Sequence, residues 1–286
     1  MNRVFKELPT VLPFYTSLQQ QSRFRENSPD DPFKLISPRN GMLPFQIEVD
    51  STKPAPFAFY IVGLDGVTEI ELQLNQLAVY EYNGTKKVIY KGDPIKKADG
   101  NAIYLQCGYY YARLSFSQGI KKNHIYSEVF YVPQDNFATQ STSFGKYVKF
   151  EFWNDSDIEP VIYRNNFRQR IFLDTFVSAF SPEIEEEAEK DGENSPIPTF
   201  QKMTTKYKVY DYVPNFVKTA LISMQMHDYV TITTNDGRTG ELKRILINVT
   251  PDEDGFMDAV EIIFDDEMMI KTHCDDQKPY INTGTW

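Results

Sequence analysis

Hydrophobic and polar residues alternate with a period of two through much of the stretch from 45 to 133. At 45–49, Phe45, Ile47 and Val49 fall on one side and Gln46 and Glu48 on the other, the pattern of a half-buried strand. Runs of the same kind occupy 56–63, 67–74, 77–92, 101–116 and 124–132. They are broken by turn-forming groups such as Leu64-Asp65-Gly66, Asn83-Gly84-Thr85 and Ala98-Asp99-Gly100. Turn signals every ~8–14 residues without a helical period predict an antiparallel, immunoglobulin-like β-sandwich. Asn83-Gly84 suits a type I′ hairpin, which needs positive φ at both central residues. In 108–116, Tyr109, Tyr111, Arg113 and Ser115 alternate with Tyr110, Ala112, Leu114 and Phe116, so the tyrosines divide between the two faces of one strand.

The pattern changes after residue 145. Val148, Phe150 and Phe152 alternate with Tyr147, Lys149, Glu151 and Trp153, and a strand at 168–175 sets Ile171 and Leu173 opposite Arg170, Phe172 and Asp174. A strand at 204–213 leads into Pro214, a residue suited to the first turn of a helix. Phe216, Ala220 and Met224 follow at i, i+4 spacing with Val217 and Leu221 beside them, which predicts one amphipathic helix of about 12 residues. Four further runs, 229–234, 240–249, 256–264 and 267–272, read as a meander of strands. One helix on an antiparallel sheet makes this an α+β domain. The expected layout is mainly β: an extended N-terminal arm at 1–44, the sandwich at 45–133, a polar linker at 134–145, and the α+β domain at 146–286 with an acidic insertion at 181–198.

The arm is punctuated by Pro9, Pro13, Pro29, Pro32, Pro38 and Pro44, which exclude long helices and central strands. Its apolar content is too high for a solvated tail. Two placements fit, on its own domain or on a neighbouring subunit. The expectation drawn from the second is that Phe5, Phe14, Tyr15, Phe24 and Phe33 are anchors ordered by a partner.

Composition adds weight to β structure. Aromatics reach 14% (21 Phe, 18 Tyr, 2 Trp) while glycine is scarce at 14 of 286 residues, and Phe and Tyr favour pleated, half-buried surfaces. The formal charge is −10, of which residues 183–193, with seven acidic residues and one Lys, contribute −6. A run of that density reads as a solvated loop that repels itself, and Glu185, Glu186 and Glu187 are its candidate contacts with a basic partner. No basic stripe is present to displace counterions from phosphates, so direct nucleic-acid binding is not expected. The N-terminus lacks the apolar core of a signal peptide, and no run approaches the ~18 apolar residues of a membrane span. Cys107 and Cys274 cannot form a disulfide framework and read as two separate thiols of a reducing cytoplasm.

The chemistry-bearing residues do not assemble into a motif. His124, His227 and His273 stand apart in the sequence. His227 closes the predicted helix, where a cation interacts favourably with the C-terminal dipole. No Gly-x-Ser-x-Gly, phosphate-cradling loop or dinucleotide fingerprint occurs. His273-Cys274-Asp275-Asp276 groups ligand types without the second pair that zinc requires, and Asp252 and Asp254 begin a calcium-like loop without its later acidic ligand. No catalytic residue, metal or cofactor is assigned. Tyr104, Tyr109, Tyr110 and Tyr111 could line a sugar-binding face, with core and cross-strand packing as the plainer reading. Lys206, Tyr207, Lys208 and Val209 form a long alternating run without proline, which reads as an edge strand needing a partner.

The stretches 41–47 (GMLPFQI), 107–116 (CGYYYARLSF) with 125–132 (IYSEVFYV), 163–175 (YRNNFRQRIFLDT), 198–221 (PTFQKMTTKYKVYDYVPNFVKTAL) and 227–237 (HDYVTITTNDG), taken in this order, resemble virion proteins from the tail and neck gene clusters of phages and prophages of gut Bacteroidota, the crAss-like phages among them. The resemblance covers most of residues 40–274 and carries over no functional residue. It implies a non-enzymatic virion protein, a tail or tail-hub and neck component assembled in the bacterial host cytoplasm as a ring of identical subunits beside other tail and neck proteins. The alternative expectation is a receptor- or carbohydrate-binding module that contacts host surface glycan.

Overall fold

A computed structural model of the chain describes residues 10–22, 33–92, 94–118, 121–134, 147–157, 161–190, 196–235, 237–252 and 257–272. Phe5, Phe24, most of the 134–145 linker and the His273–Asp276 group lie outside them. The described chain is mainly β, with four antiparallel sheets and one α-helix.

Two sheets form the N-terminal half. One is built from β1 (Phe14–Tyr15), β3 (Ala58–Gly63), β4 (Glu69–Glu71), β7 (Gly108–Gln118), β8 (Lys121–Ser127) and β9 (Phe130–Val132), in the order β1-β8-β7-β3-β4 with β9 also against β7. The other is β2 (Phe45–Asp50), β6 (Thr85–Tyr90) and β5 (Leu77–Tyr82), in the order β2-β6-β5. An immunoglobulin domain sets its second, fifth and fourth strands against its third, sixth and seventh. Here β2-β6-β5 facing β3-β7-β8, with β4 as an added edge, has that connectivity. Tyr110 near the start of β7 donates from its hydroxyl to Gln106 O at 3.0 Å, the arrangement called the tyrosine corner of that fold. The β5–β6 turn has Asn83 at φ 46° and Gly84 at φ 73°, as its sequence predicts. Phe45 of β2 meets Tyr90 and Phe59 at ring distances of 5.5 and 6.1 Å, so the apolar rows of the two sheets share one core.

The N-terminal arm, where described, belongs to this core rather than to a neighbour. Val11, Leu12, Leu35, Ile36, Met42 and Leu43 are all buried. Phe14 and Tyr15 pair with Ser127 and Tyr126 of β8, and the Phe14 ring lies 4.6 Å from Phe45. Ile36 forms a parallel bridge to Tyr131, with Ser37 N donating to Tyr131 O at 2.9 Å and Tyr131 N donating to Leu35 O at 2.8 Å. Phe33 packs half-buried against the same cluster. Prolines forbid the arm a fold of its own, but the open side of the sandwich supplies both backbone partners and an apolar bed. The partner-dependent expectation is thereby overturned for the described residues.

The C-terminal half holds two further sheets rather than one. The third is β11 (Gln169–Leu173), β10 (Val148–Trp153), β14 (Tyr229–Thr233) and β15 (Thr239–Glu241), in that spatial order. The fourth is β12 (Ser178–Lys190), β13 (Pro196–Pro214), β17 (Met257–Thr272) and β16 (Ile245–Thr250), also in spatial order. The expected four-strand meander is thus divided, its first part in the third sheet and its last in the fourth. The helix α1 (Asn215–Met224) follows Pro214 and buries Val217, Ala220, Leu221 and Met224. Those residues join Phe150 and Phe152 of β10 and Val209, Ile262 and Phe264 of the fourth sheet in one cluster.

The two halves also meet across a second apolar contact. In β6, Val88 and Tyr90 face the sandwich core, while Lys87 and Ile89 on the opposite face are buried as well. Ile89 clusters with Val161, Ile162, Tyr163 and Phe167 of the segment between β10 and β11. Ile162 N donates to Gln46 Oε1 at 3.3 Å. Lys87, only 3% exposed, keeps its charge compensated by Glu48 at 2.9 Å.

Two outcomes follow from this packing. Deleting residues 1–40 should strip apolar bed and pairing from the sandwich and abolish its cooperative melting, and Leu12→Ala alone should cost about 2–5 kcal/mol in chemical denaturation. Phe167→Ala should cost about 3–5 kcal/mol and weaken the coupling of the halves, so that calorimetry resolves two transitions where the unaltered chain gives one.

Candidate functional site

The two described histidines, His124 and His227, are held by packing. His124 Nδ1 lies 2.9 Å from Ser115 Oγ across the β7–β8 ladder, a proximity invisible in the sequence because nine residues and a turn separate them. A serine beside a histidine suggests a nucleophile and its base, but Ser115 is only 2% exposed, and a substrate has no approach to its hydroxyl. Burial lowers the His124 pKa, and Arg113 and Lys122 push it the same way. His227 hydrogen-bonds Tyr163 through Nε2, and its Nδ1 lies 2.7 Å from Ser223 O. Its edge also meets the Phe152 ring at 4.8 Å. Burial lowers its pKa, so the ring is neutral at pH 7. The expected cation on the helix dipole is replaced by a neutral ring donating from Nδ1 to the last helical turn. The Tyr163 phenol is pushed up to about 12, chiefly by burial. Among the described residues, no three or more His, Cys, Asp or Glu side chains come together to hold a metal ion.

The tyrosines of β7 divide as their alternation requires. Tyr110 is in the core, whereas Tyr109 is 38% exposed, as is Tyr104 ahead of the strand at 63%. On the outer face, Tyr109 leans on Tyr131 at 4.8 Å and 44°, and Tyr111 meets Tyr126 edge-on at 6.1 Å. The Arg113 guanidinium sits 4.6 Å over Tyr60 and pairs with Glu69 at 2.8 Å. Cys107 Sγ is 3.3 Å from the Tyr131 hydroxyl. That hydrogen bond, with burial second, pushes the Tyr131 phenol up to about 12. A shallow groove of about 380 Å³ runs beside Tyr111 along the 62–69 turn.

The fourth sheet carries the other accessible surface. β12, β13 and β17 run on past the end of β16 as a three-stranded extension, since β16 pairs only with residues 259–264 of β17. About ten residues per strand make it roughly 30 Å long. The acidic insertion is therefore not a solvated loop through residue 190. It is strand β12, paired with 196–208 of β13 and irregular at 179/181 and 187/188. Backbone pairing along the ladder, with Lys206 paired to Glu183 at 2.6 Å, explains the difference. Glu186 and Glu187 are exposed on this strand. The run 206–209 belongs to β13, which lies between β12 and β17 and is not an edge. Val209 is fully buried, and Tyr207 stacks on Phe264 at 5.8 Å. Where the extension leaves the body, Phe176, Val177, Tyr207, Thr234, Asn235, Arg238 and Phe264 line a groove of about 320 Å³. Asn235 Nδ2 donates to Thr175 O at 2.7 Å and braces this corner.

Asp211 is a titratable group that sequence reading passed over. It falls on the same face of β13 as Val209 and Val213. Burial pushes its carboxyl up to about 6, opposed by a hydrogen bond from Tyr212 N at 2.8 Å and reinforced by the charge of Asp174. A raised carboxyl pKa means that the folded state holds its proton more tightly than the unfolded chain, so stability falls as pH rises.

No family of proteins, curated protein or solved structure matches this chain.

Asp211→Asn should be indistinguishable from the unaltered protein near pH 4 and more stable by about 1–2 kcal/mol at pH 8. The difference should open as pH climbs toward about 6. Denaturation midpoints at the two pH values measure it, and equal midpoints at pH 8 would mean that water reaches the carboxylate.

Proposed function

We propose that this chain is a structural, non-enzymatic subunit of a phage virion, a tail or neck component that assembles in the host cytoplasm into a ring of identical copies and contacts other tail and neck proteins. The observation that carries the reading is the fourth sheet, whose three-stranded extension continues past the body. An extension of this kind presents open strand edges, which gain backbone partners by lying against another chain. The coupled halves add a rigid base for it, with one apolar cluster spanning residues of both and a second beneath β6. The patterns at 41–47, 107–132 and 163–237 supply the virion setting through their resemblance to tail and neck proteins.

The alternative, a module that reads host glycan, needs an open aromatic platform on which a sugar ring can stack. Tyr104 and Tyr109 are accessible, but the Tyr109–Tyr131 and Tyr111–Tyr126 pairs are tilted at 44° and 62°. They cover one another and leave edges rather than a flat surface. Assembly is the better supported of the two.

Electron microscopy and native mass spectrometry of the purified chain should find closed oligomers of one subunit type. The same protein should release no product from host-surface glycans and show no saturable glycan binding. A chain that stays monomeric at every concentration would sink the ring, and glycan hydrolysis would sink the structural reading as a whole.

A further inference from the structure

The fourth sheet ends on two strands of opposite character. β16 has six residues, Ile245–Thr250, with no charge and no proline, and pairs with β17 without a bulge. Its Leu246 is 53% exposed. Gln225 Nε2 donates to Ile245 O at 3.2 Å. No other side chain among the described residues bonds to the β16 backbone. Natural sheets guard such an edge with charges, prolines or bulges, because unpaired N–H and C=O groups accept any strand that arrives. β12, the edge on the other side, carries all of these guards: Pro182, two irregular steps in its register, and exposed Glu183, Glu186 and Glu187.

Charge distinguishes the possible pairings. Two β12 strands side by side repel. The chain entering β16 presents Lys243 and Arg244, both exposed and without an ion pair among the described residues. Across the sheet, Ile245 stands level with Phe264, Tyr207 and Ala179. The two basic residues ahead of it therefore lie toward the level of Ser181 and Glu183. Direction also fits. All three strand pairs are antiparallel, so β12 and β17 run one way and β13 and β16 the other. A like-oriented copy set beside the first brings its β12 antiparallel to β16. Level with one another, β12 reaches only the first residues of β16, so the contact takes a stagger, of the kind closing a sheet into a ring requires, in the direction that lays β16 along the acidic part of β12.

The geometry points to a heterologous contact in which β16 of one copy pairs with β12 of the next, setting Lys243 and Arg244 against the acidic stretch 183–187. The inference rests on the ring reading and names the surfaces that make the ring. One patch meets a different patch on an identical chain, which closes a ring when the rotation allows. Backbone pairing and cover for Leu246 supply the affinity. The charges select the neighbour, because the homotypic β12 contact is repulsive.

Charge exchange on the full-length chain tests this. Lys243→Glu with Arg244→Glu, and separately Glu186→Lys with Glu187→Lys, change exposed residues only, and unchanged melting curves confirm folding. Each double variant alone should associate at least about tenfold more weakly in sedimentation velocity. Mixing the two should restore oligomers that hold them in equal numbers by native mass spectrometry, since every contact is again between opposite charges. If both variants fold and assemble like the unaltered chain, or if the mixture fails to recover, the β16–β12 contact is wrong while the ring stands. An unaltered chain that never self-associates removes the ring reading and this contact together.

Discussion

Every strand at the margin of a sheet leaves a row of backbone donors and acceptors without partners, and every sheet face that is apolar needs cover. The arrangement of this chain follows from how those two demands are met. On the sandwich, the free side of β8 and β9 is closed by the N-terminal arm, through β1 and through the parallel bridge at Ile36. The outer face of β6 is closed by residues 161–167, which join the halves. The fourth sheet meets the demands differently. Its inner face is filled by α1 and the third sheet, but among the described residues its two edges, β12 and β16, have no further strand beside them. The covered margins and faces hold the two halves together, and the edges of the fourth sheet are the ones left open among the described residues.

Buried charge is handled in three ways, each with a different consequence. Lys87 and Glu48 neutralise one another beneath the second domain. A partner removed from such a pair leaves an uncompensated charge, so the contact fixes the relative placement of the halves more than it adds to stability. Glu128, only 1% exposed, has neutral donors instead. It accepts from the Tyr15 hydroxyl at 3.1 Å, from Ser22 N and Oγ at 3.1 and 2.9 Å, and from Val129 N at 2.9 Å. Its own N–H donates to Pro13 O at 2.8 Å. Three of those partners come from the N-terminal arm, so this carboxylate holds the arm to the irregular step between β8 and β9. Asp211 has a single backbone donor and a nearby acid, and with its carboxyl pushed up to about 6 it keeps its proton through the mildly acidic range and gives it up toward neutrality.

The local pattern of the chain was enough for most of the elements. Alternation marked β2, β7, β10 and β13. Asn83-Gly84 marked its hairpin, and the i, i+4 spacing after Pro214 marked α1, because period and turn chemistry are properties of neighbouring residues. The chemistry that brought residues together was another matter. Ser115 and His124 meet through strand register, and Tyr163 and His227 through the packing of a loop on a helix end. Neither kind of proximity leaves a trace in sequence spacing.

The larger departures share one physical cause, the competition between local preference and a partner brought from far along the chain. Six prolines and scattered aromatics determined that residues 1–44 would be extended. Only tertiary structure decided that its described parts, 10–22 and 33–44, lie on their own sandwich, because the vacancy beside β8 and Glu128 is made by residues far along the chain. Seven acidic residues in eleven determined a segment that repels itself. Pairing with β13, whose Lys206 reaches Glu183, decided that through residue 190 it is a strand. The alternation of 206–209 likewise determined a strand but not its neighbours. An interior strand and an edge strand have the same period, and β17, whose sequence lies some fifty residues later, made β13 interior.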